Sequence, residues 1–334
     1  MAALGIHLVV LLATMMSAYC SPDPSLDNHW QLWAKTHQKL YDNKEDELTR
    51  RVIWEENLKF ITVHNLEYSL GVQSYEVGMN HLGDLTGEEV TSAMVGFQYM
   101  DLSVANASGL PEDVSKSKVA ESMDWRNQNC VTDVKDQGLC SCSWAFSSVG
   151  ALECQAKLRK GKLESYSAQN LVDCSRSYGN NGCEGGFIAA AYRYIIQNSI
   201  ELDSTYPYEG KDGTCHLNHT KKAVTITSYK QVPYADEHEM KQVVGKVGPV
   251  SVAIDASRRS FHLYKKGVYY DPLCSSAQTN HAALVIGYGA EDGIEYWLVK
   301  NSWGPSFGEQ GYIKLARNHY NHCGIASFAS YPVM

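Results

Sequence analysis

The chain has 334 residues, of which 44% are hydrophobic and 20% charged, and its net charge is −8. That is an ordinary globular composition, long enough for one large domain or two smaller ones with a sizeable core. Acidic residues outnumber basic ones and no Lys/Arg cluster forms a phosphate-binding stripe, so no nucleic-acid partner is expected.

In chain order, the first element is an apolar run, Leu8 to Ala13, followed by Ser17 and Ala18 near a plausible cleavage point. This predicts a secretory signal peptide over residues 1–20. The run is too short for a membrane span, polar residues follow at once, and no other segment would cross a bilayer. Beyond Cys20, nine cysteines remain, an odd number, so at least one thiol is left unpaired or pairs with another chain in an oxidising compartment. The sequons at Asn106 and Asn218 are candidate glycosylation sites that fit secretory transit.

Residues 26 to about 98 are charged and free of cysteine. Glu47, Arg51, Trp54, Asn57, Ile61 and Asn65 recur at steps of three and four, which predicts one stripe of a long helix. Its polar members are odd choices for a plain apolar face. Tyr75 to Asp84 alternates and predicts a short strand followed by a turn. Residues 100–118 read as an exposed linker, where proteolysis concentrates. From Val119 onwards come all nine cysteines, a helical stretch starting at Ser143, and strand-like runs at 250–254, 283–287 and 296–300. A helical half followed by a β-rich half predicts an α+β fold.

The chemistry concentrates in Gln137-Gly138-Leu139-Cys140-Ser141-Cys142-Ser143-Trp144, with His281 lying 138 residues after Ser143 and Asn301 lying 158 after it. A nucleophile position at a helix start, a distant His and an Asn in Asn-Ser-Trp-Gly make a strong combination, although each is weak alone. The set resembles the cathepsins of the papain family, in their S and L branch. Glu47, Arg51, Trp54, Asn57, Ile61 and Asn65 match the ERFNIN motif of the cathepsin L-like propeptide, with Trp54 where Phe is more usual. Gly78, Asn80 and Asp84 match its G-x-N-x-F-x-D motif, with Leu82 replacing Phe.

The resemblance implies an inhibitory propeptide over residues 21–118 and a two-lobed peptidase domain over 119–334. A helical left lobe would face an antiparallel, barrel-like right lobe, and the tail of the propeptide would block the cleft between them. It implies catalytic roles for the residue at 143, for His281 and for Asn301, with Trp303 shielding the His–Asn bond and Gln137 as an oxyanion donor. Gly185 and Gly186 would bind substrate backbone. Phe187, Ala253, Thr279, Ala282 and Phe328 would line the main specificity pocket, tight and apolar because of the two alanines. Disulfides are implied at Cys140–Cys183, Cys174–Cys215 and Cys274–Cys323. Cys130, Cys142 and Cys154 are left over, Cys154 as a small buried apolar residue and Cys142 as a rival partner for Cys183. No metal or cofactor is implied. The implied partners are polypeptides, the chain's own propeptide and cystatin-type inhibitors, for a monomer of the lysosome or extracellular space.

The departure lies at the centre of the motif. Ser143 stands where the family keeps cysteine, Cys142 where it keeps a small residue, and Ser141 where it keeps glycine. A serine hydroxyl ionises far above neutral pH and forms no stable ion pair with imidazolium. Peptide hydrolysis is therefore expected to be weak or absent, and a non-catalytic peptide-binding role is the alternative. Cys142, one residue early, should point elsewhere. A side chain at 141 should crowd the cleft. Three departures together read as natural divergence rather than a single deliberate exchange.

Overall fold

A computed structural model describes residues 22–96 and 118–334. The expected signal peptide, most of the linker and the Asn106 sequon lie outside the described residues. The described elements are α1 (Asp27–Thr36), α2 (Lys44–Ser69), β1 (Tyr75–Val77), α3 (Gly87–Met94), β2 (Met123–Asp124), α4 (Ser143–Lys160), α5 (Ala168–Cys174), α6 (Ile188–Asn198), β3 (Ile200–Glu201), β4 (Lys222–Val224), β5 (Ser228–Gln231), α7 (Glu237–Lys246), β6 (Val250–Ile254), α8 (Arg259–His262), β7 (Tyr264–Tyr269), β8 (His281–Glu291), β9 (Ile294–Lys300), β10 (Tyr312–Ala316) and β11 (Ser330–Val333).

The N-terminal unit is built on α2, whose Asn43 cap accepts from the amides of Glu45 and Asp46. Trp54 packs with Trp30 and Trp33 in a small core of its own. The polar stripe is explained by what it holds. Arg51 pairs with Glu55 at 2.7 Å and donates to Asp23 O. Asn57 Nδ2 donates to the carbonyls of Gly83 and Leu85. Asn65 takes both edges of Val77, donating to its carbonyl at 2.8 Å and accepting from its amide at 3.0 Å. Each asparagine satisfies backbone that no regular element would pair, so the helix and the following strand lock together.

The larger unit has two parts. One is a sheet that β1 of the N-terminal unit completes to nine strands, in the order β1-β7-β10-β9-β8-β6-β11-β5, with β2 on β8. Its pairings are antiparallel except β10 on β7. The helical part gathers α4, α5 and α6 around Trp144, Leu152, Leu171 and Tyr192. Helix α4 lies between the parts and is buried on nearly every side. It is bolted to the sheet: Ser147 Oγ donates to Ala283 O at 2.7 Å, and Ser251 Oγ donates to Ser147 O at 2.8 Å.

The N-terminal unit docks on the sheet side. Strand β1 pairs antiparallel with β7, and Ile61, Tyr75, Val77, Leu82, Val90 and Met94 enter the same apolar cluster as Phe261, Tyr264, Tyr269 and Trp303. Leu82, where the motif favours a larger ring, is buried there.

Two cysteine expectations are corrected. Cys154 is not a lone apolar residue: it bonds Cys130, and both are fully buried with Cα atoms 4.7 Å apart. The face of α4 that carries residue 154 meets the segment around 130, a proximity no local pattern encodes. Cys142 does not compete for Cys183, because Cys140 holds that partner and Cys142 stays a free, buried thiol. Its side chain turns into the helical part, with Sγ 3.0 Å from Tyr208 Oη. The other disulfides are Cys174–Cys215 and Cys274–Cys323.

Candidate active site

Ser143 is the first residue of α4, so its side chain sits at the positive end of the helix dipole. His281 opens β8, and Asn301 directly follows β9. The β8–β9 register, with Leu284 opposite Lys300, brings the two side by side. His281 Nε2 donates to Asn301 Oδ1 at 2.8 Å, leaving Nδ1 as the ring's basic nitrogen. Asn301 Oδ1 also accepts from the Ser302 amide, which fixes the amide plane. Trp303 is fully buried, its ring centroid 4.8 Å from that of His281, and keeps water from the bond.

Ser143 and His281 are neighbours without being a hydrogen-bonded pair. The Ser143 hydroxyl accepts from the Ala282 amide at 3.1 Å, while His281 Nδ1 is buried with no partner. Burial, with only the Asn301 bond opposing it, pushes the His281 imidazole down to about 4. Among the described residues no anion opposes that shift, so the ring is neutral near pH 7.

Gln137 is held on three sides. Its Oε1 accepts from Ser302 Oγ at 2.7 Å, and its Nε2 donates to Cys140 O at 2.8 Å and Met94 O at 2.9 Å. Met94 belongs to the N-terminal unit, so a chain carbonyl already occupies the Gln137 donor. The next residues continue along the cleft. Gly186 N donates to Gly96 O at 3.0 Å, and Ser141 Oγ donates to Ala93 O at 3.0 Å.

Gly185 takes a φ of +108°, and a Cβ there would run into Gly96 O; a Cβ on Gly186 would meet Asn180 Oδ1 at 2.6 Å and the Trp144 ring at 2.7 Å. Both positions thus require glycine. Ala253 and Ala282 face each other as register partners of β6 and β8, and Phe328 packs on the same cluster. Thr279 is buried with an unpartnered hydroxyl, and Phe187 caps α6, its amide donating to Asn180 Oδ1 at 2.7 Å. Asn218 lies in an exposed turn, accepting from Thr220.

Cys142 does not stand in for the missing thiol. It is fully buried on the far side of the helix start, and burial pushes its thiol up to about 12. Nothing local in the sequence marks Ala93, Met94 and Gly96 as occupants of the cleft, because their contacts are made with residues 141, 137 and 186 far along the chain. The Ser143–Ala282 bond was equally hidden.

Known proteins resemble this arrangement along nearly the whole chain. Residues 119–333 match the papain family cysteine protease domain, and residues 30–90 match the cathepsin propeptide inhibitor domain. Cathepsin S of Bos taurus is 53% identical over 325 residues, spanning 97% of each chain. Cathepsin S of Mus musculus is 54% identical over 313 residues, spanning 93% of this chain and 91% of that one. Among solved structures, digestive procathepsin L 3 of Tenebrio molitor larval midgut superposes with a TM-score of 0.86 at 40% identity, covering 93% of this chain and all of that one. Ser143 at a helix start, a His–Asn pair and an N-terminal segment lying across the cleft are here joined in one chain, and it belongs to the papain family of cysteine proteases, as a cathepsin S/L-like member with its propeptide domain in place.

Proposed function

We propose that the protein is a catalytically silent cathepsin: a papain-family zymogen whose cleft binds polypeptide but hydrolyses it weakly or not at all. One observation carries this reading. The Ser143 hydroxyl is engaged by the Ala282 amide, while the basic nitrogen of His281 has no partner. In the family's mechanism a thiolate and an imidazolium stabilise each other. With serine, neither charge forms at rest, and the burial-depressed imidazole of His281 is consistent with that. Attack would need the alcohol to swing towards Nδ1 and lose its proton in the transition state. A misplacement of this kind costs on the order of 100-fold in rate.

The remaining assignments belong to the same reading. Residues 21–118 form the inhibitory propeptide and 119–334 the peptidase domain. His281, Asn301 and Gln137 keep their places as base, orienter and oxyanion donor around an absent thiol. Gly185 and Gly186 hold ligand backbone, and the pocket at Phe187, Ala253, Thr279, Ala282 and Phe328 takes a medium apolar side chain. Cystatin-type inhibitors and peptides are the expected partners. The signal-like N-terminus and the Asn218 sequon fit the secretory pathway, ending in the lysosome or outside the cell. Among the described residues no helix is long and apolar enough to cross a membrane.

The test is to express the full chain, acidify it, and assay a fluorogenic peptide with an apolar residue for the main pocket, with Ser143→Cys beside it. The expected result is an inert natural protein and an active Ser143→Cys variant. Comparable cleavage by both would overturn the reading.

A further inference from the structure

The cleft holds the backbone of Ala93–Gly96 through carbonyl acceptors: Ala93 O on Ser141 Oγ, Met94 O on Gln137 Nε2, and Gly96 O on Gly186 N, while the Met94 side chain is buried in the apolar cluster of the sheet side. The bond from Gly186 N does not read a side chain at position 96, so selection at that position is steric. At Gly96 the space closes. A Cβ built there would lie far inside contact distance of Ser141 Cβ and Ser141 O, and 3.1 Å from Gly185 Cα. The carbonyl belongs to whatever residue stands at 141, but Cβ is what serine adds. Ser141 itself cannot retreat, because its amide donates to Cys183 O at 3.1 Å and its neighbour Cys140 is disulfide-bonded to Cys183. Gly185 cannot retreat either, since Gly186 behind it packs against the buried Trp144 ring.

We propose that Ser141 is a specificity residue, making this cleft select polypeptide segments that carry glycine where they pass between Ser141 and Gly185, with the protein's own Ala93–Gly96 segment as the first such ligand. This rests on the reading of the cleft as a peptide-binding groove and names the ligand class it takes. The hydroxyl adds one bond to a ligand carbonyl, and Cβ adds its own exclusion to that already imposed by the carbonyl of residue 141 and by Gly185 Cα. A ligand with a side chain at the narrow point must lift away from Gly186 and lose that bond as well.

The test is a mutant cycle in the full chain, read by hydrogen exchange of the Gly186 amide at neutral pH. Gly96→Ala is compared with Gly96 in three backgrounds: Ser141, Ser141→Ala and Ser141→Gly. With Ser141, Gly96→Ala should raise exchange about tenfold or more, as overpacking of a rigid site does. Ser141→Ala keeps Cβ and should keep that ratio, while Ser141→Gly should reduce it several-fold. An unchanged ratio with Ser141→Gly overturns the proposal, as does an equal fall with Ser141→Ala, which would place selectivity in the hydroxyl. Amides of the β8–β9 hairpin serve as the folding control. Exchange reports binding and not hydrolysis, so this outcome and that of the peptide assay fail separately.

Discussion

His81 should make the grip of the prosegment weaken in acid. It lies just after β1 and faces a cleft of about 340 Å³ between the two units, bordered by His37 and Lys39 on one side and Asp136, Trp303 and Gly304 on the other. Both ring nitrogens are buried without a partner. Burial pushes its imidazole down to about 4 from an ordinary 6.5; Asp136 and Asp84 oppose that shift, and Lys39 and His37 add to it. The docked form therefore prefers the neutral ring, whereas a released His81 protonates near its ordinary value. Undocked protein binds more protons between those two values, so docking weakens as pH falls through the window. From pH 7 to 4.5 the loss is on the order of 50-fold in the docking equilibrium, about 2.4 kcal/mol. Hydrogen exchange of the β1 amides against pH in the full chain would measure it. His81→Leu should flatten that part of the profile and leave docking at pH 7 as tight or tighter, since two unpartnered polar atoms are removed. Identical pH profiles for the two proteins would refute the argument.

The cysteines give two further expected outcomes. Removing the Cys130–Cys154 bridge by paired alanine substitution frees a loop with a sequence separation of 24. It should cost about 3.5 kcal/mol in non-reducing urea unfolding; no loss would mean the bridge does not form in solution. Once acid has released the prosegment, an active-site-directed epoxide should leave Cys142 unmodified in the folded protein and label only the Ser143→Cys variant, as mass spectrometry of the Cys140–Trp144 peptide would show. Labelling of Cys142 would contradict its burial.

Much of this organisation could be read from side-chain identities. The stripe from Glu47 to Asn65 was legible because polar residues at helical spacing need a reason, and the reason was backbone to be satisfied at Gly83, Leu85 and Val77. The His281–Asn301 pair was legible because each residue borders a strand-like run, and hairpin geometry brings those borders together. What stayed hidden depended on distance in space. The pairing of Tyr75 with Gly267 joins segments about 190 residues apart. Cys130 and Cys154 lay outside the pairing implied by resemblance and needed the packing of α4 to meet. The lone-pair choice of Ser143, accepting from Ala282 instead of facing His281, is an orientation that no sequence encodes locally.

The pairing of β1 with β7 has a consequence for the protein once its prosegment is gone. In the intact chain Glu76 holds both Lys265 and Lys266, at 2.6 Å and 3.1 Å. Departure of β1 strips one margin of the sheet of its hydrogen-bonding partner, and an unpaired margin invites stacking by any passing extended chain. That margin is not undefended. It would present two adjacent, newly unneutralised lysines, then Gly267 at a φ of +88°, where the strand departs from a flat template. The pair of lysines that anchors Glu76 in the intact chain would then, were the segment removed, deter self-association along that margin.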